Sequence, residues 1–126
     1  MATTDRLEHE SPDLAAVIAG LPDAERVSLV QQAVESVAAA AGIADECRSA
    51  VDLDGLVVRL DEEAWNLQAA APTSADYERA FRRARAANAW LFAATDHSLA
   101  GSCEAIYEAI HAVGGEPDQV AALLAR

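Results

Sequence analysis

The sequence predicts an all-α protein, an antiparallel bundle of four main helices with short helices at the N- and C-terminal ends. Apolar residues recur at steps of three and four along most of the chain, which is the spacing of one helix face. Residues that favour helix starts and stops separate these segments, and no segment shows the strict alternation of a strand. The chain has 126 residues, a length typical of one domain. We therefore expect a flexible acidic tail at 1–10 and a single helical-bundle domain at 11–126.

The first two predicted helices have clear boundaries. Ser11 can cap the first, with Pro12 in its first turn. The second begins at Pro22 and ends at Gly42, a residue suited to the left-handed position after a helix. Its apolar stripe advances by steps of 3, 4, 3 and 4 through Val27, Val30, Val34, Val37 and Ala41. This regular stripe predicts a helix with one buried face.

Three more long segments repeat the same spacing. Pro72 is predicted to end the first, Thr73 or Ser74 to cap the second, and Ser98 to cap the third, which stops at Gly114 and Gly115. A short helical link at 44–50 precedes them, and a last short helix begins at Pro117. The short connections favour successive helices that lie side by side.

The charge of the chain limits its partners. Twenty-one acidic residues stand against nine basic ones, all arginine, for a net charge of −12. Nucleic acids and anionic membrane surfaces are repelled by such a chain, whereas cations and basic proteins are attracted. No apolar run approaches the roughly 20 residues that span a bilayer, and the polar start differs from a signal peptide. We therefore expect a cytoplasmic protein that binds neither nucleic acid nor membrane.

The two cysteines, Cys47 and Cys103, stand alone in the sequence. There is no CxxC pair and no histidine at zinc-finger spacing. We expect both to be buried thiols that do not pair in a reducing compartment, although the sequence leaves a disulfide open.

One helix carries a weak metal-site pattern formed by Glu104, Glu108 and His111, whose spacing places them on one helix face. A Glu-x-x-His pair is half of the signature of di-iron carboxylate bundles, but the chain has no second pair. The predicted seam of this helix also directs these three residues away from the bundle, toward solvent. We expect an acidic solvated face with no metal or cofactor, and keep metal binding or catalysis as the alternative.

The densest positive charge lies on the predicted helix that Thr73 or Ser74 caps. Arg79, Arg82 and Arg83 share one exposed quadrant of that helix. They could anchor an acidic partner or pair with surplus carboxylates, such as those at 61–63. Asn88 falls on the apolar seam of the same helix, where a polar group fixes helix pairing or contacts a small molecule inside the bundle.

Both tryptophans lie off the predicted seams. Trp65 shares a second stripe with Val58 on one helix, and Trp90 lies on the next. Short flanking helices could cover these rings, or the rings could form the centre of a protein interface.

Together these features predict a non-enzymatic module that binds a protein partner, or itself as a homodimer. In composition and size the chain is similar to small acidic helical immunity and antitoxin proteins of bacteria, a resemblance that implies a basic protein partner. An adaptor is a further form of the same hypothesis. The alternatives are a metal-binding protein or enzyme that uses the Glu104 face, and a small-molecule binder with its pocket near Asn88.

Overall fold

The computed structural model describes residues 5–125, and these form eight α-helices and no strand. The all-α class predicted from the sequence is therefore confirmed. The helices are α1 (Asp5–Glu10), α2 (Pro12–Ala19), α3 (Asp23–Ala41), α4 (Ala44–Ser49), α5 (Leu53–Ala70), α6 (Ala75–Thr95), α7 (Leu99–Ala112) and α8 (Pro117–Leu124).

Side-chain caps start several of these helices where the sequence predicted them. Ser11 accepts a hydrogen bond from the backbone N–H of Leu14 at 3.4 Å. Ser74 and Ser98 cap α6 and α7 in the same way. At the end of α3, Gly42 has φ of 77°, a left-handed conformation in which a side chain would be strained. These local signals mark the helix boundaries in the sequence.

Helix α7 lies at the centre of the molecule. It packs against α1, α2, α3, α6 and α8, and ten of its fourteen residues are buried, so it has no broad solvent face. Small residues allow neighbouring helices to approach it from several sides. Five small residues of α7 are buried: Gly101, Ser102, Ala105, Ala109 and Ala112.

Helix α5 has a different environment. It packs chiefly on α6, which in turn contacts α3 and α7. One side of α5 buries Leu56, Val57, Leu60 and Ala64. The opposite side of α5 faces solvent.

The predicted flexible tail needs correction. Of residues 1–10, Asp5–Glu10 form α1, and Leu7 is fully buried in the core. Helix α1 packs on α2 and α7. The segment looks polar in the sequence because Leu7 is its one large apolar residue. That buried leucine and the ion-pairing Arg6 are enough to attach the helix to the bundle. Residues 1–4 of the predicted tail, and residue 126, lie outside the described residues.

Across residues 5–125, none of the helices combines the length and the apolar character that crossing a membrane requires.

Candidate functional site

Two regions carry the residues that the sequence singled out. The first surrounds Glu104 and Glu108 on α7. The expectation that these carboxylates face solvent is wrong, because only 5% and 2% of the two residues, respectively, are exposed. The prediction assumed a helix with one buried face, whereas α1 and α6 cover the second face of α7.

Two arginines from other helices neutralise these carboxylates. Arg6 of α1 donates a hydrogen bond to Glu104, and its Nη2 lies 3.4 Å from Oε1 of Glu108. Arg85 of α6 donates from Nη1 to Oε2 of Glu108 at 2.8 Å and from Nη2 to Asp61 of α5. We call these five residues the ionic cluster. It links four helices through charge-assisted hydrogen bonds.

The ionic cluster also fixes the position of α1. The hydrogen bond with Glu104 raises the pKa of Arg6, despite the opposing effect of partial desolvation. The Arg6 guanidinium lies 4.3 Å from the centre of the Tyr107 ring, within the range of a cation–π contact. Arg6 is therefore held both by carboxylates and by an aromatic face of α7.

His111, the third residue of the predicted metal pattern, is half-buried beside this cluster. Its ring packs on Tyr107 with 4.6 Å between centroids. Its Nε2 atom is buried without a hydrogen-bond partner, and the nearest carboxylate oxygen, Oε1 of Glu10, is 3.7 Å away. That distance is too long for a hydrogen bond.

The structure does not bring the predicted metal candidates together as a ligand set. Within residues 5–125, no group of three or more His, Cys, Asp or Glu side chains is arranged to hold a metal ion. Guanidinium groups occupy the positions next to Glu104 and Glu108 that a cation would need. The chemistry of this region is that of a structural ion-pair network.

A second buried arginine was missed by the sequence analysis. Arg26 of α3 is buried and donates to the Oγ of Ser102 at 3.2 Å, to the carbonyl of His97 at 2.9 Å and to Asp23 at 2.6 Å. The available signal was its position four residues before Val30, on the apolar stripe of α3. From that position Arg26 reaches the carbonyl of His97, just before the start of α7. Its charged group therefore has hydrogen-bond partners although the residue is buried.

The three arginines predicted on one quadrant of α6 are all ion-paired. Arg79 and Arg82 pair within α6, at 3.1 Å with Asp76 and at 2.6 Å with Glu78. Arg83 pairs with Glu46 of α4 at 3.3 Å. The run at 61–63 supplies a partner only to Arg85 in the described chain, through Asp61. These distances favour the second of the two hypotheses for these arginines, in which they pair with carboxylates of the same chain.

The two tryptophans occupy opposite environments. Trp90 is only 7% exposed and belongs to the core, so its assignment as a partner-binding candidate is wrong. Arg48 of α4 lies 5.7 Å from its ring centre. Asn88, two residues earlier, is half-buried rather than in the core. The buried residues of α6 differ from the predicted seam, because α6 packs against α3, α5 and α7 rather than against one helix.

The second region is the outer side of α5. Trp65 is 72% exposed and Val58 is 54% exposed, so this stripe is not covered by the short flanking helices. Beside Trp65 lies an open groove of about 430 Å³ between α5 and the first half of α6. It is lined by Asp61, Ala64, Trp65, Gln68, Tyr77, Phe81, Ala84 and Arg85. We call Val58, Trp65 and this groove the α5 surface.

Both cysteines are buried, as predicted, and both are free thiols. Desolvation raises the pKa of Cys47 and of Cys103 from 9.0 to about 11 in each case. Neither thiol has the low pKa and the exposure of a reactive cysteine.

The fold and these two regions define an all-α protein with a buried ion-pair network and one exposed aromatic face. No protein-family model matches the chain, and neither the curated proteins nor the solved structures include a significant match to it.

Proposed function

We propose that this chain is a non-enzymatic interaction module that binds a protein partner through the α5 surface. The observation that carries the proposal is the exposure of Trp65. An indole ring is among the most costly side chains to leave in water, and tryptophan is enriched at the energetic centres of protein interfaces. Trp65 is the one aromatic side chain in residues 5–125 that is mostly exposed.

The surroundings of Trp65 support this proposal. Val58 lies two turns away on the same face of α5, and Tyr77 and Phe81 line the groove on the other side of the ring. The two aromatic rings of α6 pack on each other with 6.1 Å between centroids. An exposed ring next to a concave apolar groove gives a partner both an anchor to cover and a recess to fill.

Other candidate functions have weaker support. Arginine side chains pair with the buried carboxylates of the ionic cluster, which favours a structural role over metal chemistry. The grooves on the described surface are open to solvent and Asn88 lines none of them, which does not favour a small-molecule pocket inside the bundle. Cytoplasmic location belongs to the same proposal, and fractionation of the native cell would test it.

A photocrosslinking amino acid placed at position 65 in the native cell tests the proposal directly. Val17 of α2 is 53% exposed and is the matched control position, because it is also a large apolar side chain on an outer helix face. We expect one partner to crosslink at position 65 and not at 17. The partner is then purified, and its Kd is measured for the parent chain, Trp65→Ala and Val17→Ala.

A loss of affinity confined to Trp65→Ala would support the α5 surface as the interface. Equal affinities for the parent chain and Trp65→Ala, with a stable fold, would refute it. Circular dichroism of each variant separates a loss of binding from a loss of folding. We expect Trp65→Ala to stay folded, because Trp65 makes a small contribution to the core.

A further inference from the structure

We infer that the partner segment is a basic amphipathic one, in which lysine or arginine side chains flank a large apolar side chain that packs on Trp65, on the side that extends toward the start of α5. This inference rests on the proposed function, since it names the chemistry of the partner at the same α5 surface. It excludes two other occupants of that surface, an acidic segment and a second copy of this chain.

The first argument is the placement of carboxylates around the apolar residues of α5. At 100° per residue, Asp54, Val58, Asp61, Glu62 and Trp65 all fall within about 60° of the direction of Trp65. The two apolar side chains therefore alternate with three carboxylates along one outward stripe. Asp54 and Glu62 are exposed, and neither belongs to an ion pair in the described part of the chain.

The second argument is that positive charge near this stripe is already used. Arg85 is the one cation lining the groove beside Trp65, and it is shared between Asp61 and Glu108. Arg59, the basic residue of α5, points about 120° away from Trp65 by helix geometry. The stripe therefore keeps uncompensated negative charge, which a partner's cations would neutralise on binding.

The third argument concerns the recess. The groove between Trp65 and the Tyr77–Phe81 pair has a volume of about 430 Å³ and a largely apolar lining. That volume admits one or two large apolar side chains but not a folded domain. A helix or extended segment that inserts an apolar residue here places the residues that flank it on the N-terminal side of Trp65 over Glu62, about one turn away, and over Asp54, about 12 Å further along α5. Those flanking positions are where lysine or arginine is favoured.

A second copy of this chain fits the stripe poorly. In a two-fold symmetric contact the same stripe faces itself, so the carboxylates of one copy approach those of the other. Like charges directly opposed across an interface are unfavourable, and each copy carries a net charge of −12. The charge pattern therefore favours a different, basic chain.

A peptide-display selection tests the inference without knowledge of the natural partner. The probe is a library of 16-residue amphipathic peptides with varied large apolar residues on one face and Lys, Arg, Glu, Gln and Ser equally represented at the flanking positions. The parent chain is the bait, and binders that persist on Trp65→Ala are removed. We expect the remaining peptides to be enriched in Lys and Arg at the flanks.

The best peptide is then synthesised and its Kd measured at low and high salt. We expect Trp65→Ala to weaken binding about thirtyfold and the Asp54→Asn, Glu62→Gln double variant to weaken it about tenfold at low salt. The matched control replaces exposed carboxylates elsewhere, Glu25→Gln with Asp118→Asn, and should leave Kd within about twofold because these residues lie on α3 and α8, which do not pack substantially on α5.

The outcomes separate this inference from the proposed function. Peptides that depend on Trp65 but carry neutral or acidic flanks would overturn the inference and leave the interaction surface in place. A concentration-dependent dimer that Trp65→Ala dissociates would overturn it in favour of a second copy. An absence of Trp65-dependent peptides would overturn it as well, whereas the crosslinking experiment alone decides the proposed function.

Discussion

Helices α5 and α7 have similar apolar spacing in the sequence and opposite environments in the structure. Helix α7 is covered by five other helices, whereas α5 packs chiefly on α6. Carboxylates on the side of α7 away from its seam are therefore buried and paired, while the same side of α5 presents Val58 and Trp65 to solvent. The side of a helix that lies away from its main apolar seam is buried when several helices surround it, as for α7. It stays exposed and available to a partner when the helix has one main neighbour, as for α5.

The largest effect should come from truncating one tryptophan and not the other. Trp90→Ala should lower the free energy of unfolding by about 3–5 kcal/mol, because it empties a packed site in the core. Trp65→Ala should change it by less than about 0.5 kcal/mol, as for an exposed surface position. Chemical denaturation followed by far-UV circular dichroism measures both. Similar losses for the two variants would mean that the outer side of α5 belongs to the core.

The two acceptors of Arg85 give a smaller contrast within a single ion-pair network. Glu108→Gln should cost about 1.5–3 kcal/mol, because the buried hydrogen bonds to charged groups weaken. Asp61→Asn should cost about 0–1 kcal/mol, because this carboxylate is partly in water. Thermal unfolding at constant pH and ionic strength compares them. A larger loss for Asp61→Asn would mean that the bridge to α5 carries the network.

Thiol chemistry tests the burial of one residue on α4 and one on α7 without any mutation. With pKa values of about 11, Cys47 and Cys103 should have about a hundredfold less thiolate at pH 8 than thiols of pKa 9.0. Reaction with an aromatic disulfide reagent should therefore be slow in the native chain and fast in denaturant. Rapid reaction of either thiol in native buffer would show that its helix opens readily.

The same two thiols predict an alkaline destabilisation. Their folded pKa values are higher than the ordinary value of 9.0, so the folded state holds its protons more tightly than the unfolded state. Their contribution to stability is therefore complete below pH 9 and is lost as the pH rises toward 11. Denaturation midpoints measured between pH 8 and 11 should fall for the parent chain and fall less for Cys47→Ala with Cys103→Ala. Identical slopes would contradict this account.

The sequence by itself determined the all-α class, most helix boundaries and one seam on each long helix. These features depend on local chemistry, namely N-caps such as Ser74 and Ser98, the left-handed Gly42, and apolar steps of three and four. The exposed stripe of Val58 and Trp65 was also predictable as a second stripe, although its exposure was not.

Only the tertiary structure decided which second faces are covered. Glu104 and Glu108 look like solvent-facing carboxylates until Arg6 and Arg85 arrive from positions 98 and 23 residues away in sequence, respectively. Trp90 and Trp65 both lie off the predicted seams, yet one is in the core and the other faces water. Helical periodicity reports the angle between residues on one helix, whereas burial depends on how many other helices surround it, and that number is fixed by long-range packing.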